Sequence, residues 1–126
     1  MQSLSCVKNF INLTPHAVTV LGDNNEVLNV IPPSGVVARC VEQIKPMGDV
    51  LGVPLFEKGF GAIEGLPEET SEAAYIVSAI VASAAAKAIA DVDGWTKLSD
   101  YHLFIPNDLV RDDQGRILGC RSFAMI

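Results

Sequence analysis

The arginines are the residues of this chain best suited to binding chemistry, and their distribution is uneven. There are four, of which Arg111, Arg116 and Arg121 fall within the last 16 residues, while Arg39 stands alone in the first half. A guanidinium group binds phosphate or carboxylate through paired, planar hydrogen bonds. The cluster therefore predicts a local anion site, to which Arg39 contributes if its strand reaches the same place. The alternative is that each arginine pairs with an acid, since aspartates flank the cluster in the sequence.

Four other polar residues are candidate ligand-binding companions of these arginines. His16 closes a polar, turn-forming break between two apolar segments, and an imidazole binds ligands or transfers protons near neutral pH. Ser78 stands near the start of a helix, where anions are stabilised. Asn107 and Asp108 follow a proline at a strand end and could coordinate a cation or hydrogen-bond a base or a sugar. Each is also explained without a ligand, as an ordinary turn or capping residue.

A covalent mechanism would need a nucleophile beside a base, and Cys120 with His102 is the pair to consider. Cys120 lies in an apolar segment, which favours a buried, inert thiol. The chain has no GxSxG, P-loop or GxGxxG motif, and no CxxC, HExxH or Cys/His cluster for a metal. We therefore expect no catalytic residue, no metal and no cofactor. A small hydrolase or transferase that uses Cys120 or His16 is kept as an alternative.

Composition limits what these residues could bind. The 126 residues suffice for one domain, residues 1–126. The net charge of −6 argues against a nucleic-acid polymer as partner, because phosphate backbones need a basic face. The most apolar stretch, residues 73–86, falls short of the roughly 20 residues of a membrane span. The three scattered cysteines and the absence of a signal peptide at residues 1–8 predict a cytoplasmic protein with no membrane partner.

One helix is expected to organise the elements around these residues. Residues 75–92 are rich in alanine, which favours a helix, although residues 75–77 could instead be a strand that feeds a helix capped by Ser78. The fold class expected is α+β, with a curved, mostly antiparallel sheet packed on one central alanine-rich helix. Exposed strand edges in such a sheet predict a homo-oligomer.

The remaining sequence predicts strands and turns. Turn signals at residues 22–25 and 112–115 predict two β-hairpins. Residues 36–44 predict a strand, and residues 50–56 and 59–63 a separate strand pair. Residues 100–105 predict a strand that Pro106 stops, because proline lacks the backbone donor of a ladder.

Several motifs occur together over nearly the whole chain: Asn12-Leu13-Thr14-Pro15-His16, Pro32-Pro33-Ser34-Gly35, and Asp108-Leu109-Val110-Arg111-Asp112 followed by Gly115-Arg116-Ile117 and Gly119-Cys120. As a set they resemble a family of small proteins from bacteriophages, prophages and some bacteria. The resemblance implies no activity. It implies a phage or mobile-element setting, in which proteins of this size are often non-enzymatic inhibitors or sponges.

The function expected is that of a non-catalytic binding protein, phage-encoded and acting on a host component. In one version it sequesters a small phosphorylated, nucleotide-type signal as an anti-defence sponge, with arginines on the phosphates. In another it inhibits a host protein through a sheet edge or an apolar face. A third hypothesis is a self-associating structural or assembly protein. Clustered arginines favour the first version, and buried, acid-paired arginines would favour the second.

Overall fold

Strands make up most of the structure, a computed structural model that describes residues 8–68, 73–92 and 97–125. In chain order the elements are β1 (Asn9–Asn12), β2 (Val18–Leu21), β3 (Val27–Ile31), β4 (Arg39–Val50), β5 (Val53–Glu64), β6 (Ala73–Ile76), α1 (Ala79–Ala90), a 3-10 helix (Lys97–Asp100), β7 (His102–Arg111) and β8 (Ile117–Ala124). Most of the paired strand residues are in antiparallel pairings, of β2 with β3, β4 with β5 and β7 with β8. The prediction of an α+β fold with mostly antiparallel strands is confirmed.

Six of the strands form one sheet in the order β1-β6-β7-β8-β2-β3. Strands β1, β6 and β7 run parallel, and β8 runs parallel to β2. The register places Asn12, Ile76 and Phe104 in one row across the three parallel strands. The carboxyl ends of β1 and β6 therefore lie at the same edge of the sheet, while β7 continues past it beside β8.

Both hairpins predicted from turn signals are present. In the β7–β8 turn, Asp112 Oδ1 accepts hydrogen bonds of 2.9 Å from the backbone amides of Gln114 and Arg116. Gly115 closes the turn with φ of +80°, a backbone conformation that glycine adopts without steric cost. In the β2–β3 turn, Asn25 takes the corresponding left-handed conformation with φ of +62°.

The remaining two strands, β4 and β5, pair only with each other among the described residues. The prediction of a separate strand pair at 50–56 and 59–63 is wrong, because residues 53–56 and 59–63 both belong to β5, which pairs with β4, whereas Val50 ends β4 and residues 51–52 form the turn. Pro46 lies opposite Phe56, and Gln43 opposite Gly59. Proline and glycine are tolerated here because no further described strand flanks the ribbon, so they interrupt no other ladder.

Strand β7 also passes a predicted stop, since it continues through Pro106 to Arg111. The expected end at residue 105 is wrong for a physical reason. Strand β6 pairs with β7 only as far as Phe104, so one side of β7 is free of a ladder at position 106. A residue without an N–H is accommodated there.

Helix α1 begins later than the longer prediction over 75–92, and the alternative with a preceding strand is confirmed. Ser78 is the N-cap, and its Oγ accepts a hydrogen bond of 3.3 Å from the amide of Val81. Close packing of an alanine-rich helix on a sheet predicts that Ala82, Ala85 and Ala86 are buried. Ala82 and Ala85 are buried, whereas Ala86 is half-buried. The residues before Ser78 are strand because β6 lies between β1 and β7, and this tertiary pairing overrides local helix propensity.

Core side chains lie on both faces of β6, whose successive residues point in opposite directions. On one face, Tyr75 and Val77 pack with Val81 of α1; on the other, Ile76 packs with Cys120. No α-helix among the described residues is long and apolar enough to cross a bilayer.

Candidate functional site

The candidate site is the edge of the sheet at which β1 and β6 end and α1 begins. The segment Thr14-Pro15-His16 follows β1, and Ser78 follows β6. In open sheets, ligands bind beyond the carboxyl ends of parallel strands, next to helix N-termini. Two of the sequence-predicted residues, His16 and Ser78, are therefore brought to one edge by the topology.

Buried Asn12 fixes the shape of the segment after β1. Its Nδ2 donates to the carbonyls of His16 (2.8 Å) and Ile31 (3.0 Å). Its Oδ1 accepts from the backbone amide of Thr14 at 2.9 Å and lies 2.6 Å from the Thr14 hydroxyl. All hydrogen-bonding positions of the amide are thus used. This network accounts structurally for the Asn12-to-His16 motif and leaves the His16 side chain exposed.

The first turn of α1 supplies unused backbone donors at this edge. A helix leaves its first amides without intrahelical partners. The amide of Val81 bonds to Ser78 Oγ and that of Ala82 to the Ser78 carbonyl at 3.0 Å. Among the described residues, nothing occupies the amides of Ala79 and Ile80. Together with the positive end of the helix dipole they favour an anion.

Arg39 and Ser78 line one cavity of about 280 Å³ beside this turn, with Thr14 and Pro15 in the same wall. Arg39 is exposed at the start of β4, and no described residue engages its guanidinium group by hydrogen bond or ion pair. Arg39 and the first turn of α1 therefore border one cavity, whose other lining residues are mainly apolar. Thr14 and Pro15 were within a motif noted in the sequence, but nothing local indicated that β4 would bring Arg39 to them.

The three arginines of the β7–β8 hairpin are instead engaged locally and are exposed. Arg111 Nη1 donates to the carbonyl of Gly115 at 2.9 Å, and Arg116 Nε to Asp112 Oδ2 at 3.0 Å. Arg121 Nη2 donates to Asn25 Oδ1 at 2.8 Å. Of the three, Arg116 realises the acid-paired alternative, and none lines the Arg39 cavity. Their part in ligand binding remains a prediction.

The carboxyl group of Asp112 has its pKa lowered by this arrangement. The main cause is the hydrogen bond from the backbone amide of Arg116, assisted by the amide of Gln114 and by the Arg116 side chain. Each of these interactions favours the ionised carboxylate. Asp112 is therefore explained as a turn residue.

Asn107 and Asp108 lie farther along β7, on the part that pairs with β8. Asn107 Nδ2 donates to Ser122 Oγ at 2.9 Å across the two strands. Asp108 is exposed and has a left-handed backbone, with φ of +53°. Neither residue lines the Arg39 cavity, and their binding role remains a prediction.

Cys120 and His102, the nucleophile and base considered from the sequence, are far from each other. Cys120 lies opposite Leu109 on β7, seven residues beyond His102, a separation of about 23 Å along a strand. Burial raises the pKa of the Cys120 thiol, which favours its unreactive form. His102 is itself buried in the core. Burial also raises the pKa of Cys40, while Cys6 lies outside the described residues.

No group of three or more metal-ligating side chains gathers in the part of the chain that the structure describes. Comparison with protein-family models, curated proteins and solved structures finds no match. A function for this chain is therefore inferred from the geometry of the sheet edge and from the sequence motifs.

Proposed function

We propose that this chain is a non-catalytic binding protein that holds a small phosphorylated ligand at the N-terminal end of α1. One observation carries the proposal: Arg39 lines the same cavity as Ser78, at the first turn of the helix. Ile80, whose amide has no partner among the described residues, lines the same cavity. In this proposal the Arg39 guanidinium group and the Ile80 amide bind the phosphate.

The donors are of the kind that phosphate prefers. Ile80 lines the cavity, and its amide offers a hydrogen bond along the helix axis, where the dipole stabilises negative charge. Arg39 offers two parallel N–H groups to the remaining phosphate oxygens. The hydroxyl of Ser78 caps the helix and holds this first turn in place. His16 follows Pro15 in the chain and is exposed, but it does not line the cavity. In this proposal it contacts the part of a larger ligand that lies outside.

The size of the cavity limits what is enclosed. A volume of about 280 Å³ is at the lower end of the range for small-molecule sites. It accommodates a phosphate and part of the group attached to it. The remainder of a nucleotide would lie outside, against the exposed surface of the edge.

The biological setting in this proposal comes from the motif resemblance. A phage-encoded protein in the host cytoplasm that retains a nucleotide-type signal would act as an anti-defence sponge. Retention requires no reaction, which agrees with the distance between Cys120 and His102.

Native mass spectrometry of the chain purified from a bacterial host extract tests the proposal. The wild type should retain a small phosphorylated molecule, Arg39→Ala should lose it, and Arg116→Ala should keep it, because Arg116 is paired with Asp112. Retention of the same mass by wild type and Arg39→Ala would contradict the proposed site. So would a wild-type chain that carries no phosphorylated molecule.

A further inference from the structure

The β4–β5 ribbon carries an exposed apolar surface that the proposed ligand site does not use. Every residue from 41 to 58, a segment we call the arm, is exposed. Eight large apolar side chains of the arm are at least 39% exposed: Val41, Ile44, Met47, Val50, Leu51, Val53, Leu55 and Phe56. They present on the order of 800 Å², about what one partner contributes to a standard protein interface.

Few contacts among the described residues hold the arm in place. A two-stranded ribbon is at best marginally stable unless it packs against another element. The base of the ribbon does so, where Cys40 Sγ lies 4.0 Å from the Ile80 carbonyl of α1. Farther out, the Lys58–Glu42 ion pair of 3.0 Å is exposed, and such pairs contribute little.

The tip of the arm places a strained residue in solvent. Leu51 is 99% exposed with φ of +51°, and Gly52 follows with φ of +80°. Two positive φ values are typical of a tight hairpin turn that strongly prefers Asn-Gly. A leucine in this conformation has a steric cost and gains no burial in return within the chain. Its presence points to a contact made with another molecule.

A groove on the same chain fits such a contact. It has a volume of about 620 Å³ and runs between the base of β5 and α1, with Gly59, Gly61, Ser83, Ala84, Lys87 and Asp91 among its lining residues. Nothing lies within 4 Å of the position that a Cβ at Gly59 would occupy. The groove is therefore open and bounded largely by small residues.

We propose that the arm of one copy lies in the α1–β5 groove of a second copy. From Val41 to Leu51 the arm extends about 30 Å, which exceeds the roughly 18 Å length of α1, so it spans the groove. Arm and groove belong to one surface, and a two-fold axis lets each copy cover the other. Side-by-side pairing of arm edges is disfavoured because Pro46 and Pro54 lack the backbone donor that a ladder needs.

Charge supports a second copy as the occupant. Although the chain carries a net charge of −6, the arm contains two basic residues, Lys45 and Lys58, as well as acidic ones. The groove likewise holds Lys87 and Asp91. The two surfaces therefore meet without the repulsion expected between other faces of two acidic chains. A second copy of the chain is also always available to bury the exposed apolar surface of the arm.

Sedimentation velocity over a concentration series tests this inference, independently of any ligand. The wild type should self-associate. Leu51→Asn should weaken association on the order of 10- to 30-fold while keeping or improving thermal stability, because it restores the preferred turn. Gly59→Trp should fill the groove and weaken association similarly, since no atom of the described residues, apart from its chain neighbours, lies within 4 Å of its Cβ position. Leu28→Asn, at an exposed leucine of β3, is the matched control and should have no effect.

Mixing the two variants distinguishes an arm in a groove from arms that contact each other. In a two-fold pair of the two variants, the intact arm of the Gly59→Trp chain lies in the intact groove of the Leu51→Asn chain, and both changes fall in the other contact. Because a groove filled by Gly59→Trp loses little more when the arm that faces it carries Leu51→Asn, one contact stays complete, and the mixture should associate more tightly than either variant alone. A monomeric wild type would overturn the inference, as would association unaffected by both variants or weakened equally by Leu28→Asn. An arm that binds only a different protein would appear as a monomeric wild type.

Discussion

At the scale of single residues, Asn12 holds the edge of the sheet in the shape that the candidate site requires. Its side chain joins β1, the turn through His16 and the end of β3. Because it is buried, each of these hydrogen bonds replaces one that water would otherwise make. The sequence marked the turn as a candidate binding element, whereas the structure gives its asparagine an architectural role.

Asn12→Ala should lower the free energy of unfolding by about 2–4 kcal/mol, because it removes a buried hydrogen bond to the Ile31 carbonyl and part-buried ones to His16 and Thr14. Asn107→Ala removes one exposed hydrogen bond, to Ser122, and should cost less than about 1 kcal/mol. Urea denaturation of the two variants measures the difference. Equal losses would show that the Asn12 network is not specially important.

Asp112 gives the structure a predictable response to acid. Its pKa is lowered in the folded chain by the amide of Arg116, so its stabilising effect is complete above the ordinary carboxyl pKa of about 4. The effect is lost as the pH falls through the lower, folded-state value. Asp112→Asn retains an acceptor for the turn but does not titrate. Thermal melts at pH 7 and pH 3 should therefore show a smaller loss of stability for Asp112→Asn than for the wild type, and identical losses would contradict this cause.

At the scale of elements, the sequence predicts correctly those features that depend only on residues adjacent in the chain. The turn at 112–115 depends on an aspartate that accepts backbone amides and a glycine with positive φ, and both can be recognised in sequence. The start of α1 and the passage of β7 through Pro106 depend on which strands lie alongside. The parallel pairing of β1, β6 and β7 joins segments far apart in the chain. Short apolar runs carry no information about such partners.

Packing against the sheet should make α1 sensitive to side-chain volume on one face. Ala85 is buried, and Ala85→Leu should overpack the interface and cost about 1–3 kcal/mol. Ala90 is exposed at the end of the helix, so Ala90→Leu should stay within about 0.5 kcal/mol of the wild type. Guanidinium denaturation compares them. An unchanged midpoint for Ala85→Leu would contradict the close packing of this face.

At the scale of the whole molecule, the candidate site is made by strands that are distant in the chain. The turn after β1, the cap after β6 and the first residue of β4 meet only once the sheet and the ribbon have formed. From their residue types, Arg39, His16 and Ser78 could be predicted as candidate binding residues. The clustering of arginines near the end of the sequence, however, favoured the other three arginines as the centre of the site. Those three are close in sequence because they share a hairpin, where Arg111 and Arg116 have partners in its turn, while Arg121 bonds to Asn25 of the neighbouring β2–β3 turn. The isolated arginine is the one that reaches the helix.

Titration calorimetry with a panel of cyclic and linear nucleotides, comparing Arg39→Ala with Arg116→Ala, is the sharpest test of a phosphate site at Arg39. We expect the wild type to bind a member of the panel and Arg39→Ala to weaken that binding about 10- to 100-fold, as for a lost charge-assisted contact. Arg116→Ala should bind like the wild type, because that side chain is held by Asp112 outside the cavity. The site is refuted if no nucleotide binds more tightly than millimolar, or if Arg116→Ala weakens binding as much as Arg39→Ala does.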